Sequence, residues 1–522
     1  MKFKLRPEIH PALFSVAPAL LLVSHNPGQA FLSDALFPIG ITLLGVFFLW
    51  VVLSCFLSDR KKVGIIISIF LFVFFSFGHF QIFLRYYFVS PLLGELVRPR
   101  YLLLFCIVFI VLSSYLIIKT HKNLSQSTIF LNFMSLALVV LPLIQIASFS
   151  LQASLGQNKS GGMDFKAVVE DASKTQKVFP DIYYIILDAY ARESTLRDHL
   201  NYNNQDFIDH LKEKGFYVAS KSRSNYGSTA LSLASSLNME YINHLSRVVE
   251  SGSSNPYFAW KMVEDNKVMH FLRSRGYKII NFNSGWHPTR KLQIADINVH
   301  CTHSKQFNSV FIETTLYNIF EKRFHLVTDY RKHHLCTFSK VAEYSKTRGP
   351  KFIFAHMVIP HEPYVFGPNG EAVSGDEIKD CKCGFTRQEA AKAEVPKQRY
   401  LGQLTFLNKK IEEMIEQILP KSPPFPIIIL QSDHGAKSDV IPLEIYARER
   451  LKNFTAYYLP EKGGELLYDS ISPVNTFRLI FSHYLNGNYD LLEDRSYYSS
   501  AFSHIYDFVE LNPEENFAGA KP

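Results

Sequence analysis

The sequence predicts an N-terminal bundle of about five transmembrane helices, followed by an α/β domain with a mostly parallel, doubly wound sheet. Two observations predict this fold class. Up to about residue 151, the 522-residue chain is dominated by long apolar runs. Beyond that point, short apolar segments alternate with helical patterns, as in a parallel sheet that carries helices on both faces. We therefore expect a transmembrane domain at residues 1–151, a linker at 152–176 and a globular domain at 177–522.

Five apolar segments are candidate membrane spans, at residues 11–25, 36–58, 63–84, 101–118 and 129–151. The middle three reach the roughly 18 apolar residues that a bilayer core requires, whereas the first is short and contains Pro18. Further apolar segments follow the first at once, so we interpret it as a permanent span and not as a signal peptide. Three clusters of flanking basic residues fall on one side of a five-span bundle: Lys2, Lys4, Arg6, Arg60, Lys61, Lys62, Lys119 and Lys122. Arg85, Arg98 and Arg100 lie in the opposite loop, where they weaken the contrast without reversing it.

The positive-inside rule makes that side cytoplasmic, so the globular domain is expected on the other side of the membrane. In a bacterium this arrangement describes a multi-pass protein of the inner membrane, with its domain in the periplasm or cell exterior. The formal net charge of +8 does not indicate a nucleic-acid partner, because the basic residues are scattered or flank apolar segments. No glycine-rich loop of the P-loop type precedes a predicted strand, so no nucleotide is expected.

Four cysteines lie in the globular domain, and they allow three pairings: Cys301, Cys336, Cys381 and Cys383. Because Cys381 and Cys383 are too close to pair comfortably with each other, we expect each to bond to Cys301 or Cys336. An exported domain favours disulfides. A zinc knuckle that uses His303, His333 and His334 stays open as the alternative.

The globular domain begins with an apolar strand in the sequence PDIYYIILDAYAR, residues 180–192. Its run Ile182–Leu187 is typical of a strand buried on both faces. Similar segments recur at Lys278–Gly285, Lys351–Pro360, Pro426–Gly435 and Thr455–Pro460. Helical patterns separate them, at Gln205–Lys214, Ala259–Ser274 and Arg387–Leu419. Ligands of such sheets bind beyond the carboxyl ends of the strands.

Polar residues follow three of these strands. Asp188 ends the first, His361 follows another, and Asp433 and His434 follow a third. Each alone is more typical of a turn or a surface position, but together their oxygen and nitrogen atoms suit a divalent metal such as Zn²⁺ or Mn²⁺. Thr229 stands at the start of a helical pattern in NYGSTALSLASSLNM, where backbone N–H groups and the helix dipole favour a nucleophile or a bound phosphate. These residues predict a metal-activated threonine nucleophile.

With these residues the chain resembles the alkaline phosphatase superfamily, in the membrane-anchored sulfatase-like branch that includes phosphoethanolamine transferases and lipoteichoic acid synthases. Asp188 in LDAYAR matches the first metal-binding acid, and Thr229 in TALSLASS matches the nucleophile, which is also a metal ligand. Asp433 and His434 in QSDHG match the metal-binding pair, and His361 in PHEPY matches a histidine that contacts the substrate phosphate or a second metal. The segments SRSNY, SLASSLNM and YLGQLTFLNKKIEEMI are most similar to sulfatase-like inner-membrane proteins.

The resemblance implies a metal-dependent transferase, with Zn²⁺ as the foremost metal and Mn²⁺ or Ca²⁺ as alternatives. It would move a phosphoryl head group from a membrane phospholipid donor, through a phosphothreonine, to a cell-envelope acceptor. The alternatives are a phosphodiesterase or phosphatase, a sulfuric-ester hydrolase, and a non-catalytic module that binds a membrane glycan or lipid. No Cys, Pro and Arg arrangement of the true sulfatases surrounds Thr229, so we expect phosphoryl chemistry.

The chain also departs from the family pattern. The transferases carry a further histidine after the Asp-His-Gly motif, and residues 436–460 contain none. Lys437, Arg448 and His287 are candidates to replace it. Arg192, Lys221 and Arg223 lie near the predicted catalytic loops, where they are candidates to bind phosphate oxygens.

Overall fold

The computed structural model describes residues 8–26, 30, 32–87, 99–159, 179–249, 253, 255–301, 306–317, 319, 327–347, 349–373, 394–419, 425–437, 440–499 and 504–511. The chain divides into two compact units. One comprises Met1–Ala167 together with Ser304–Leu326, and the other comprises Val168–His303 together with Val327–Pro522.

The first unit is a bundle of apolar helices. Its five long N-terminal helices are His10–His25, Leu32–Phe56, Arg60–Tyr87, Pro99–Lys119 and Ser125–Lys159. Each coincides with one of the five predicted segments. Four contain a stretch long and apolar enough to cross a membrane, whereas His10–His25 has only 16 residues. The short first helix is held by polar contacts, because His10 donates its backbone N–H to Asn132 and its ring nitrogen Nδ1 lies 2.6 Å from the Ser68 hydroxyl.

A later segment of the chain also belongs to this unit, which the sequence does not indicate. The helix Gln306–Thr314 packs between the membrane helices, and its Phe307 and Phe311 lie in one apolar cluster with Val63, Ile67 and other buried residues. The ring centroids of Phe311 and Phe75 are 5.8 Å apart.

The second unit is built on a seven-stranded sheet with the order β2-β7-β6-β1-β5-β3-β4. The strands are β1 (Ile182–Leu187), β2 (Tyr217–Val218), β3 (Lys278–Phe282), β4 (Ile297–Val299), β5 (Lys351–Met357), β6 (Ile427–Gln431) and β7 (Thr455–Tyr458). β1 pairs in parallel with β5 and β6, and β3 pairs in parallel with β4 and β5, whereas β7 is antiparallel to β6 and β2. The structure therefore confirms the predicted fold class. Of the five predicted strands, β1 has the predicted bounds Ile182–Leu187 and the other four are present but shorter. A separate pair is formed by β8 (Tyr497–Tyr498) and β9 (Val509–Glu510).

Helices cover both faces of this sheet. They are Glu193–Leu200, Gln205–Glu213, Thr229–Asn238, Leu245–Val248, Tyr257–Glu264, Lys267–Ser274, His287–Arg290, Val327–Glu343, Glu394–Ile418, Leu443–Arg450 and Pro473–Tyr484, with 3₁₀ turns at Tyr344–Lys346 and Gly463–Leu466. Side chains alternate along β1, so that Ile182, Tyr184 and Ile186 face one apolar core and Tyr183, Ile185 and Leu187 face the other. This double burial is the reason that β1 is continuously apolar.

The structure refines two of the predicted helical stretches. The stretch predicted over Ala259–Ser274 is helical, but it is divided between two helices that meet at Asp265 and Asn266. The Asn266 side chain caps the second helix by accepting the Met269 N–H at 2.9 Å. Of the helix predicted over Arg387–Leu419, Glu394–Ile418 is present, and residues 387–393 lie outside the described residues.

The predicted disulfide pattern is also wrong. Cys301 bonds to Cys336, with their Cα atoms 5.6 Å apart, so neither is available to Cys381 or Cys383. These last two cysteines lie outside the described residues, as does His303. The bond removes Cys301 and Cys336 as thiolate ligands, and it leaves His333 and His334 as buried side chains of the helix Val327–Glu343.

Candidate active site

The parallel strands bring three potential metal ligands to one edge of the sheet. Asp188 directly follows β1 and donates its backbone N–H to Met357 O at the end of β5. Asp433 and His434 follow β6, the strand on the other side of β1. One ligand atom from each of Asp188, Asp433 and His434 lies within 4.8 Å of the others, and all three side chains are buried.

The Asp433 carboxylate is anchored by hydrogen bonds at one oxygen, and each of the two carboxylates has one oxygen that is unsatisfied. Oδ1 of Asp433 accepts the N–H groups of Ala189 and His434 at 3.1 and 3.0 Å. Oδ2 of Asp188 lies 3.4 Å from Nε2 of His356. In contrast, Oδ1 of Asp188 and Oδ2 of Asp433 are buried and find no hydrogen-bond donor in the described part of the chain. Buried charged oxygens normally have a partner, so these two atoms mark a place for a cation.

His434 presents a nitrogen lone pair to the same place. Its Nδ1 lies 3.0 Å from Gly435 O, which assigns the ring hydrogen to Nδ1 and leaves Nε2 as an acceptor. Nε2 lies 3.1 Å from Asp433 Oδ2 and 3.8 Å from Asp188 Oδ1. Burial, and then repulsion by Arg450, lower the pKa of His434 well below its usual value, so the ring is neutral. A neutral imidazole and two carboxylates are donors that suit Zn²⁺ and similar divalent metals.

The pKa values of the two acids also indicate a place for a cation. Burial and the neighbouring Asp188 carboxylate raise the pKa of Asp433 to about 7. Burial opposes ionisation of Asp188 as well, but His361, His356 and His434 outweigh it and hold the pKa of this carboxyl well below its usual range. Like charges that share a buried site separate their pKa values in this way. The residues present therefore fit a bound divalent cation, which would neutralise both carboxylates.

Thr229 lies beside this cluster at the start of the helix Thr229–Asn238. Its hydroxyl Oγ1 is 3.1 Å from Nε2 of His434, to which it donates. Ser228 occupies the N-cap position without a side-chain cap bond, and Ser232 in the first turn donates its hydroxyl to Asp433 O at 2.7 Å. The helix N-terminus is thereby fixed at the edge of the sheet. Ser228 and Thr229 are only half-buried, so the hydroxyl is accessible.

His361 is also placed next to the cluster. Its backbone N–H donates to Asp188 O at 3.1 Å, and its Nδ1 donates to Glu362 O at 2.6 Å. Burial, and then the nearby Lys437 ammonium, lower the pKa of His361, so its Nε2 is a neutral base near pH 7. Lys437 itself donates to Glu362 Oε1 at 2.7 Å. The structure thus groups His361 and Lys437 near Asp188.

The remaining candidates have other surroundings. His287 contacts Trp260 and lies 3.6 Å from Glu264, and its neighbour Trp286 packs against His356. Arg192 and Arg223 line a pocket of about 970 Å³ whose wall includes none of the potential metal ligands.

Two residues of the site were not identified from the sequence. His356 lies within β5, where its neighbours indicate only a buried strand. Arg450 ends the helix Leu443–Arg450 and is buried, with Nη2 at 2.7 Å from His434 Nε2 and Nε donating to Gly227 O at 2.8 Å. It lies in the stretch in which the sequence suggests Lys437 and Arg448 as replacements for the missing histidine. Four charged residues stand within Arg448–Lys452, and only the structure shows which of them faces Thr229.

No family model and no curated protein matches the chain. Among solved structures, the C-terminal periplasmic domain of EcEptC from Escherichia coli in complex with Zn is 12% identical, with a TM-score of 0.43, over 62% of this chain and 91% of that chain. The integral membrane protein lipooligosaccharide phosphoethanolamine transferase A from Neisseria meningitidis is 14% identical, with a TM-score of 0.37, over 90% of this chain and 93% of that chain. A phosphonate monoester hydrolase of Agrobacterium radiobacter is 11% identical, with a TM-score of 0.41, over 61% of this chain and 80% of that chain.

Proposed function

We propose that this protein is a membrane-anchored, metal-dependent phosphotransferase of the alkaline phosphatase superfamily. It moves a phosphoryl head group from a membrane phospholipid, through a phosphothreonine at Thr229, to a hydroxyl of a cell-envelope acceptor. One observation carries the proposal. The Thr229 hydroxyl contacts Nε2 of His434, at the same atom toward which two buried, unsatisfied carboxylate oxygens converge.

The metal would be held by Asp188, Thr229, Asp433 and His434, with Zn²⁺ as the foremost candidate. When bound, it supplies a Lewis acid that favours the alkoxide form of Thr229 and offsets charge on the phosphoryl group. The chain's own residues supply the rest of the site. Of these four side chains, Asp433 is held by backbone N–H groups and His434 by the hydrogen bond from its Nδ1 to Gly435 O, so this part of the site is preorganised.

In the first step, Thr229 Oγ1 forms a bond to phosphorus while the bond from phosphorus to the lipid alkoxide breaks. The leaving alkoxide gains a proton, and neutral His361 is suited to accept the threonine proton and to return it to this oxygen. In the second step, His361 accepts the proton of an acceptor hydroxyl, the acceptor oxygen attacks phosphorus, and Thr229 Oγ1 leaves and takes up that proton. The two displacements balance, since each forms one phosphorus–oxygen bond and breaks another.

The nonbridging phosphate oxygens would meet two sets of donors. The first turn of the helix Thr229–Asn238 offers backbone N–H groups and the positive end of the helix dipole. The Arg450 guanidinium contacts the same His434 nitrogen as Thr229, so it lies next to the nucleophile. Both sets of donors are in position before the substrate binds, so they stabilise the negative charge that develops on the phosphoryl group.

The membrane unit supports a lipid donor, because four of its helices are long and apolar enough to cross a bilayer. The Cys301–Cys336 disulfide supports an oxidising compartment for the globular unit. We therefore place the protein in the inner membrane of a bacterial cell, with its catalytic domain in the periplasm or at the exterior.

A hydrolase is the second candidate. The half-buried positions of Ser228 and Thr229 leave the hydroxyl accessible to water as well as to an acceptor. Water would then release the phosphothreonine, on the same residues. Product formation from a phospholipid with and without an added acceptor alcohol separates the two reactions, since only a transferase makes the acceptor product.

The test of the nucleophile uses the full-length protein in detergent, loaded with Zn²⁺ and incubated with mixed phospholipids. Mass spectrometry is expected to find a head-group phosphate on the peptide that contains Thr229. Thr229→Ala should lose the adduct and the turnover while retaining bound metal and its melting temperature. Thr347→Ala, at a surface threonine, is the matched control and should behave as the wild type. Full turnover in Thr229→Ala would contradict the proposal.

A further inference from the structure

A second charged pocket lies in the globular unit, with a volume of about 970 Å³. Its wall contains none of the potential metal ligands, and it contains neither Thr229 nor Arg450. Six basic side chains line it: Arg192, Lys221, Arg223, Arg448, Lys452 and Arg495. Its size suits a ligand as large as a saccharide or a lipid head group, and exceeds what a single phosphate ion would fill.

The acidic residues around this pocket already have partners. Oδ1 of Asp494 accepts hydrogen bonds from Ser472 and Asn475. Glu493 and Glu510 face Arg495 at 2.5 and 3.6 Å, and Asp198 pairs with Arg197. Buried Glu449 is contacted by Lys452 at 2.5 Å, by Arg448 at 3.4 Å and by the Thr195 hydroxyl at 2.6 Å. One carboxylate thus faces two cations, which leaves an excess of positive charge on this part of the wall.

Arg223 is the basic residue of this pocket that is best suited to bind an anion. Its Nε and Nη2 atoms are buried, and neither finds a hydrogen-bond acceptor among the residues that the structure describes. Burial, and then repulsion by Arg192 and later by Arg448, lower the pKa of Arg223 to about 10. Arg192 donates to Ser194 Oγ and Ser222 O, which are uncharged. Guanidinium groups in such a setting bind planar oxyanions through paired hydrogen bonds.

The pocket is connected to the proposed active site through three short stretches of chain. Arg192 follows Asp188 by four residues, Arg223 precedes Thr229 by six, and Arg448 precedes Arg450 by two. Ser224 donates its backbone N–H to Leu451 O at 2.8 Å, which ties the loop before Thr229 to the end of the helix that carries both arginines. A ligand in the pocket therefore contacts the same loops that position the nucleophile.

We propose that this pocket binds a polyanion that carries at least two phosphate or sulfate esters. The excess charge recognises the esters, and the volume accommodates the sugar or head group that bears them. Phosphate and sulfate esters share the oxyanion that Arg192 and Arg223 would bind.

The test is a calorimetric titration of the full-length, metal-loaded protein in detergent with fructose 1,6-bisphosphate. Arg223→Gln and Arg448→Gln are expected to weaken binding by about tenfold each, as for loss of a charged hydrogen bond. Arg247→Gln is the matched control, because Arg247 is exposed and lies outside the pocket wall. Uncharged fructose should not bind, and added salt should weaken the binding of the bisphosphate.

Fructose 1,6-disulfate, used in a parallel titration, separates the two sources of the oxyanion, and binding of either ester supports the site. Thr229→Ala should leave the bisphosphate affinity unchanged, and so should removal of metal by a chelator. Equal affinity in wild type, Arg223→Gln and Arg448→Gln, with unchanged melting temperatures, would overturn the proposal. Loss of binding on chelation would also overturn it, because the ligand would then occupy the metal centre. Since no turnover is measured, these outcomes are independent of the Thr229→Ala test of the proposed function.

Discussion

At the scale of single residues, Asp188 and Asp433 show how two identical side chains acquire opposite protonation behaviour. Asp188 has three imidazoles for neighbours, whereas Asp433 faces the Asp188 charge and has one oxygen without a donor. In the metal-free site one of the two acids ionises easily, whereas ionising the second destabilises the folded protein. A bound divalent metal removes this destabilisation, so metal binding and stability are linked.

Asp433→Asn is expected to have opposite effects with and without metal. The pKa of Asp433 is raised from 3.8 to about 7, so between these values the folded metal-free protein binds more protons than the unfolded chain. Its stability then falls as pH rises from about 4 to about 7. In chelator at pH 8 the variant should melt higher than the wild type, and with Zn²⁺ it should melt lower and bind less metal. Melting temperatures with metal analysis check this, and Asp209→Asn, at an exposed acid, should change neither.

Arg450 is expected to contribute to catalysis and to stability. Its guanidinium donates to Gly227 O and Gly435 O, and a lysine ammonium at the same place cannot satisfy both in that planar arrangement. Arg450→Lys should lower kcat by about 100-fold, equivalent to about 2.7 kcal/mol. Initial rates on a phospholipid donor measure the effect, with Arg197→Gln as the control. A wild-type kcat in Arg450→Lys would show that the guanidinium of Arg450 does not contribute to catalysis.

At the scale of elements, the described strands differ in how much of their signal lies in the sequence. β1, β5 and β6 are buried on both faces, so nearly all of their positions are apolar or uncharged and the strands can be predicted from the sequence. The exception is Lys351 at the start of β5, whose buried ammonium pairs with Asp181. β2 and β4 have two and three residues, too few to show a period, and they exist because neighbouring strands offer them hydrogen bonds. The break at Asn266 is hidden for another reason, since apolar residues continue at helical spacing on both sides.

The cap at this break is expected to hold the second helix. Asn266 accepts the Met269 N–H at 2.9 Å and also donates its side-chain amide to Val263 O at 2.9 Å. Asn266→Ala should lower the free energy of unfolding by about 1–2 kcal/mol, because a cap and a buried partner are lost. Asn266→Ser keeps a capping oxygen and should cost less. Thermal melting of the two variants checks the order, and an equal effect would show that the cap is not the cause.

The helix Val327–Glu343 is expected to make the protein sensitive to acid. Burial, and then repulsion by His333, lower the pKa of His334 to about 3. Between that value and 6.5 the unfolded chain binds the proton and the folded chain does not, so stability falls as pH decreases through this window. One such group contributes up to about 1.4 kcal/mol per pH unit. His334→Leu should therefore flatten the fall in melting temperature between pH 7 and 5, and His504→Gln, at an exposed ring, should not.

At the scale of the whole molecule, the sequence predicts the grouping of Asp188, Asp433 and His434 better than it predicts the disulfide. These three residues follow recognisable strands, so their meeting follows from parallel pairing. Thr229 begins a recognisable helix, and its contact with His434 depends on how that helix packs against the sheet. His356 lies inside a strand and Arg450 lies at the end of a helix. At such positions the direction of the side chain determines whether it reaches the site, and the periodicity of the sequence does not show that direction. The Cys301–Cys336 bond likewise depends on the tertiary path of residues 301–336, which no local pattern specifies.

The grouping of Ser304–Leu326 with the membrane helices has a consequence for the isolated globular unit. Phe307 and Phe311 pack with Val63, Ile67 and other membrane-helix residues, and Leu316 donates its backbone N–H to Phe74 O. A protein truncated to begin at Val168 would expose these aromatic side chains to water, where such a patch favours association.

That truncated protein is expected to aggregate or to require detergent. Phe307→Gln combined with Phe311→Gln should shift it toward a monomer in size-exclusion chromatography without detergent, because the exposed apolar area is reduced. In the full-length protein the same pair should lower the melting temperature, since about 3–5 kcal/mol is typical for each buried aromatic that is lost. Phe258→Gln, at a half-buried phenylalanine of the globular unit, is the matched control and should not improve the solubility of the truncated protein. A truncated wild-type protein that is monomeric without detergent would show that residues 304–326 can satisfy their apolar surface without the membrane helices.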